Sequence, residues 1–157
     1  MTAPMLEYNI VYQMAHMMHH FFDEGLGLRQ MMDYYYLLVQ VKDEKEMQKK
    51  HLEVTFQYLN LYNFAGAVMY VMRIVFGVPD EWMIVPMDEH RGNLLMDEVL
   101  KGGNFGKHSG LTRHSTGVKF FLKIKRNMKF VKYYPAEALW EPVFRTWHFF
   151  WRIGHRW

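Results

Sequence analysis

The side chains with the most chemical potential lie on one face of the first predicted helix. His16 and His20 are one helical turn apart, and two imidazoles at positions i and i+4 can share a metal ion. At about 100° per residue, other polar residues fall on the same arc: Asn9, Tyr12, His19 and Asp23. Because the Glu of a zinc-protease motif is missing between the two histidines, we expect no metal here. A polar helix face and a face that contacts substrate or another domain both stay open.

A second set of charged side chains follows on the next predicted helix. Arg29 and Asp33 are also four residues apart, which allows an ion pair worth roughly a few tenths of a kcal/mol if it is exposed. Beside His16 and His20, the same two residues can instead complete a buried polar network that orients two helices. Structural pairing and contact with a ligand are therefore both open for Arg29 and Asp33.

A glycine-rich loop over residues 102–106 is flanked by lysines. A phosphate-binding P-loop would follow a strand and end in Lys and Ser or Thr, and this loop has neither feature. The simpler interpretation is a helix stop followed by a tight turn, while anion binding stays open. The candidate anion-binding residues are Lys101, Asn104, Lys107, Lys123 and Arg126.

The two parts of the chain carry opposite charge. Residues 1–106 hold 8 Lys and Arg against 14 Asp and Glu, a net charge of −6, whereas residues 107–157 hold 11 against 2, a net charge of +9. A basic end of this size predicts either an anionic partner or a face that docks on the acidic part. Basic helices with interleaved aromatic residues also suit nucleic acid, but no nucleic-acid motif is present, so we do not expect that partner.

Composition disfavours several classes of function. The chain has no cysteine, which excludes disulfides and cysteine-ligated zinc. Its two serines, Ser109 and Ser115, lie outside any G-x-S-x-G context, and no D-x-D pair offers two carboxylates on one face of a strand. Neither a signal peptide nor a run of about 18 apolar residues is present. We therefore expect a cytoplasmic protein without a transmembrane segment.

Glycines, prolines and apolar spacing predict an all-α fold. We expect one domain over residues 1–157, a compact bundle of about six or seven helices. The predicted segments are about 5–24, 28–41, 42–59, 64–76, 88–101 and 117–133, with a last helix from 135 that Pro142 kinks. The helix over 117–133 carries apolar residues on one arc: Phe120, Phe121, Ile124, Met128 and Val131. The last helix carries a second apolar arc: Leu139, Val143, Trp147 and Phe150. For this last arc we expect core packing, while an interface with a missing domain and an interfacial membrane helix stay open.

Several stretches, taken in order, resemble a known family. They are residues 8–16 (YNIVYQMAH), 20–22 (HFF), 25–30 (GLGLRQ), 33–35 (DYY), 64–67 (FAGA), 95–98 (LMDE), 102–106 (GGNFG) and 134–135 (YP) with Glu137 and Trp140. Their order and spacing are similar to the C-terminal half of an uncharacterised bacterial nucleotidyltransferase family, whose members are often encoded near surface-polysaccharide genes. The resemblance covers nearly the whole chain.

In that family the catalytic domain lies upstream, with a Gly-Ser turn and acidic residues that hold Mg²⁺ for nucleotidyl transfer. None of these is present here, so the resemblance implies no catalytic residue and no cofactor for this chain. Mg²⁺ and a nucleoside triphosphate are implied for the full-length family. The resemblance places five residues at the nucleotide-transfer cleft or the domain junction: His16, His20, Arg29, Gln30 and Asp33.

The resemblance implies a helical accessory or substrate-side domain that is not catalytic on its own. Its partner would be a nucleotidyltransferase catalytic domain, in cis or in trans. The alternative is a stand-alone helical interaction module, either the partner of a separate transferase or a homodimer. The accessory domain would bind nucleotide weakly or not at all and expose an apolar patch. The stand-alone module would form a large interface over its aromatic helices.

Overall fold

The computed structural model describes residues 6–23, 25–42, 46–102, 128, 130–135, 147 and 151. These residues form five α-helices and one 3₁₀ turn, with no strand among them, which confirms the all-α prediction for this part of the chain. The chain divides into two units, Met1–Gly106 and Lys107–Trp157. The boundary coincides with the change in sign of the net charge. No helix in the described ranges has both the length and the apolar character needed to cross a bilayer.

Helix α1 spans Leu6–Asp23, close to the predicted segment. Its buried side chains recur at helical spacing: Ile10, Met14, Met17, Phe21 and Phe22. Gly25 follows with a φ of +94°, a conformation that favours glycine, and its N–H donates to the carbonyl of His20 at 2.8 Å. Gly25 lies just beyond the end of α1, where the sequence predicts that the helix stops.

Helix α2 spans Leu28–Val41, which are the predicted bounds. The N–H of Gly27 donates to Oε1 of Gln30 at 3.0 Å, so a side chain inside the first turn satisfies a backbone donor just before the helix. The buried residues of α2 are Met31, Tyr34, Leu38 and Val41. They give α2 one apolar face, and this helix packs against α1.

Helices α3 and α4 span Glu46–Tyr58 and Tyr62–Phe76. Between them Asn60 takes a φ of +56°, a left-handed conformation that asparagine tolerates better than most residues. A break was predicted at residues 60–63; the structure has it at residues 59–61, and α4 begins two residues earlier than predicted. Helix α4 buries residues 64–69, 71 and 72, and it ends where Gly77 takes a φ of +66°.

A 3₁₀ turn at Asp80–Trp82 and a loop lead into helix α5, Glu89–Gly102. Glycine allows α5 and the loop before it to approach α4 closely. The N–H of Asp88 donates to the carbonyl of Gly66 at 3.0 Å, and a Cβ added at Gly92 would lie 2.6 Å from the Cβ of Tyr70. The Cβ and the ring of Tyr70 therefore occupy the space that a side chain at Gly92 would need.

The second unit differs from its predicted packing at the few positions that the structure describes. Phe130 and Tyr134 are buried, whereas Met128 and Trp147, which lie on the predicted apolar arcs, are exposed. Residues 130–133 form a turn where the sequence predicts the end of a helix, and the N–H of Tyr134 donates to the carbonyl of Phe130 at 2.8 Å. Most of the two predicted closing helices lies outside the described residues.

Candidate functional site

Four rings lie one above another on the exposed side of α1. We call Tyr8, Tyr12, His16 and His20 the α1 ring stripe. The centroids of Tyr8 and Tyr12 are 6.0 Å apart with an interplanar angle of 13°, and those of Tyr12 and His16 are 5.9 Å apart at 8°. Side chains four residues apart project from the same side of a helix, so the sequence spacing produces this row. The opposite side of α1 is buried, and the stripe is therefore carried by a fixed element.

His16 and His20 meet in a different geometry from the stacked rings. Their rings are edge to face at 89°, with centroids 4.4 Å apart, and their two Nε2 atoms are 3.0 Å apart, a hydrogen-bond distance. One imidazole donates and the other accepts, so at least one of the two is neutral while this bond exists. Two half-buried nitrogens at this separation can share a proton or bind a common ligand.

The other residues predicted at this site, Arg29, Gln30 and Asp33, lie on helix α2. Arg29 and Asp33 are both exposed on α2, and they form no ion pair with each other within the described part of the chain. Neither residue contributes to a polar network with His16 or His20 there. Gln30 accepts the hydrogen bond from Gly27, so its side chain has a structural role at the start of α2.

The candidate anion-binding residues fall almost entirely beyond the described ranges. Lys101 belongs to the last turn of α5. Asn104, Lys107, Lys123 and Arg126 lie outside the described residues, and anion binding by this set stays a prediction.

A second aromatic surface was missed by the sequence analysis. The ring of Tyr35 stacks on Phe76 at 5.6 Å and 22°, and it also lies 6.5 Å from Trp82 and 5.7 Å from Tyr36. We call these four residues the α2–α4 aromatic cluster. Tyr36 is exposed and the other three are half-buried. Three consecutive tyrosines at 34–36 were the available signal, because one face of a helix cannot bury all of them.

An open groove of about 380 Å³ lies along the connection between α4 and α5. Its lining residues are Asp80, Met83, Ile84, Val85, Pro86 and Met87. All but one of these side chains are apolar, and the lining includes no histidine and no basic residue. The groove therefore has few of the convergent polar groups that fix a small ligand in place.

The described residues include no group of three or more His, Asp or Glu side chains placed to hold a metal ion. Comparison with known protein families, with curated proteins and with solved structures finds no match to this chain. The geometry of α1 and of its surroundings therefore provides the observations from which a function can be inferred.

Proposed function

We propose that this chain is the helical accessory domain of a bacterial, cytoplasmic nucleotidyltransferase-like protein. It would be a bundle of six or seven helices that is not catalytic on its own. The α1 ring stripe contacts the catalytic domain, which belongs either to the same polypeptide or to a separate chain. The observation that carries the proposal is the exposure of the stripe, in which Tyr8 and Tyr12 are 62% and 56% exposed on a helix whose other side is buried.

The chemistry of the stripe favours contact with another protein domain. Tyrosine is enriched in protein interfaces because it brings a large rigid surface and a polar tip at low cost in conformational entropy. Consecutive exposed rings on one helix face are costly to leave in water and stabilise a complex when they are covered, at about 25 cal/mol per Å² of apolar area. The resemblance of residues 8–16 and 20–30 to the nucleotidyltransferase family supports a catalytic domain as the partner.

Photo-crosslinking in the cells that make the protein tests this contact. A photoreactive phenylalanine analogue replaces Tyr12 in the full chain, and Tyr58 in the matched control. Tyr58 is 86% exposed and lies on α3, outside the stripe. We expect Tyr12 to crosslink to a nucleotidyltransferase catalytic domain and Tyr58 not to. The same products from both positions, or none from Tyr12, would contradict the proposed contact face.

The intact mass of the endogenous protein decides between contact in cis and in trans. A mass near 19.0 kDa corresponds to a separate chain, and the crosslink then joins two polypeptides. A mass of roughly twice that value corresponds to a two-domain protein, and the crosslink is then internal. In both cases we expect the chain on its own to show no saturable binding of nucleoside triphosphate. Tight binding would show that it carries a nucleotide site of its own.

A stand-alone interaction module is the second candidate, and the α2–α4 aromatic cluster favours it. The described residues present two aromatic surfaces, the α1 ring stripe and the α2–α4 aromatic cluster. One surface can contact another protein while the other forms a homodimer interface. Sedimentation equilibrium of the full chain tests self-association. A dimer that dissociates in Tyr36→Asp but not in Tyr58→Asp would support this candidate, whereas a monomer at all accessible concentrations would exclude the homodimer.

A further inference from the structure

We propose that His16 and His20 form a two-nitrogen site for a divalent transition metal, with Cu²⁺ and Ni²⁺ as the preferred ions. Both ligands belong to α1, so the site does not depend on which protein covers the stripe. The sequence shows only the i, i+4 spacing, which is compatible with two rings that point apart. The structure adds that the two Nε2 atoms converge to 3.0 Å.

This separation is close to that of two neighbouring ligands of a square-planar or octahedral ion. With metal–nitrogen bonds of about 2.0–2.1 Å, two nitrogens 3.0 Å apart subtend an angle of about 95° at the metal. Neighbouring positions of a square-planar or octahedral ion meet at about 90°, whereas a tetrahedral ion needs about 109° and a nitrogen separation near 3.3 Å. Cu²⁺ and Ni²⁺ adopt the first kind of geometry with nitrogen and oxygen ligands, and Zn²⁺ prefers the second.

Binding of a metal by the pair requires a definite protonation of both rings. Coordination through both Nε2 atoms requires two neutral imidazoles with their protons on Nδ1. The proton that lies between the Nε2 atoms therefore moves to Nδ1 or to solvent when the metal binds. The ring of Tyr12 stacks on that of His16, and the ring of His19 lies 6.1 Å from that of His20. Water, or a donor from a covering protein, would fill the remaining positions.

Copper titration of the full chain without an affinity tag tests the site. Electron paramagnetic resonance at neutral pH should show one Cu²⁺ per chain, with splitting from two nitrogens. His16→Gln and His20→Gln should each weaken binding by at least about tenfold and leave the splitting of one nitrogen, because the second ligand no longer acts at a high effective concentration.

A matched control is needed because the chain has nine histidines. His51→Gln removes an exposed histidine on α3, and we expect it to bind Cu²⁺ with the affinity of the wild-type protein. Circular dichroism should show unchanged helix content in all variants, since none of these rings is buried in the core. Equal affinity of the His16→Gln/His20→Gln double variant and the wild type, or a one-nitrogen spectrum of the wild type, would overturn the site. Either result would leave the proposed contact with a catalytic domain untouched, because crosslinking from Tyr12 does not use the metal.

Discussion

At the scale of single residues, Tyr34 buries a hydroxyl that has no hydrogen-bond partner among the described residues. The side chain is 0% exposed, so this hydroxyl has lost its hydration without compensation. We expect Tyr34→Phe to leave the free energy of unfolding unchanged or to raise it by up to about 1 kcal/mol, because it removes an unsatisfied polar group without changing shape. Urea denaturation measures this, with the exposed Tyr36→Phe as control. A loss of more than about 1 kcal/mol would mean that the hydroxyl has a partner.

The same burial predicts a response to alkaline pH. Burial raises the pKa of the Tyr34 hydroxyl well above its usual value of 10.0. The folded state therefore resists deprotonation, and this contribution to stability is fully present below pH 10 and is lost as the pH rises above it. Between pH 9 and pH 11 the free energy of unfolding should fall more steeply for the wild type than for Tyr34→Phe. Parallel pH profiles for the two proteins would contradict this expectation.

Asp88 caps the start of α5 and is linked to Arg91 twice. Its Oδ1 accepts the Arg91 backbone N–H at 2.9 Å, and its Oδ2 lies 2.6 Å from the guanidinium. Partial burial opposes ionisation, but the hydrogen bonds and the positive charge of Arg91 outweigh it and lower the pKa of the Asp88 carboxyl below 3.8. We expect Asp88→Ala to cost about 1 kcal/mol of unfolding free energy at neutral pH.

The free energy of unfolding, measured as the pH is lowered, distinguishes the specific effect of the Asp88 cap from a general effect of charge. A carboxyl whose pKa is lower in the folded state stabilises the protein above about pH 4, and this stability is lost as the pH falls through the folded-state pKa. The difference between wild type and Asp88→Ala should therefore shrink below about pH 4. The exposed Asp33→Ala should change the free energy of unfolding by less than about 0.5 kcal/mol at either pH.

At the scale of elements, the contact between α4 and α5 depends on glycine. A Cβ at Gly92 would lie 2.6 Å from the Cβ of Tyr70, near the root of that side chain, so rotation of the ring cannot relieve the clash. We expect Gly92→Ala to destabilise the protein by about 1–3 kcal/mol, although alanine is the better helix former. Gly66→Ala should cost less, since its Cβ would meet the nearest atom at 3.1 Å. Thermal unfolding of both variants measures which substitution lowers stability more. An equal or larger loss of stability in Gly66→Ala would contradict the expectation.

At the scale of the whole molecule, the two units differ in charge as well as in their internal contacts. The buried residues of the five described helices all belong to the first unit. We therefore expect a fragment of residues 1–106 to keep its helix content and to unfold cooperatively, since it contains these helices entire. Circular dichroism during heating measures this. A broad, non-cooperative transition would mean that the basic unit is required for the core of the acidic one.

The helices of the first unit could be predicted from short-range features of the sequence. Apolar spacing and the glycines at 25, 27 and 77 gave the bounds of α1 and α2 and the end of α4, because backbone preferences at these positions act over a few residues. Four-residue spacing also placed His16 and His20 on one face. Apolar spacing put Met128 on an arc that the structure leaves exposed at this residue, because burial depends on what packs against the helix and not on the helix itself.

Other features of the site arise from contacts that no local pattern contains. The resemblance gave Gln30 a place at the transfer cleft or the domain junction, and that stays a prediction. The hydrogen bond from the Gly27 N–H to its side chain depends on a rotamer that no local pattern specifies. Tyr35, Phe76 and Trp82 come from different elements and form one cluster only after α2 and α4 pack. The spacing of His16 and His20 belongs to the sequence. Their 3.0 Å convergence depends on side-chain torsions, and those are set by the folded surroundings.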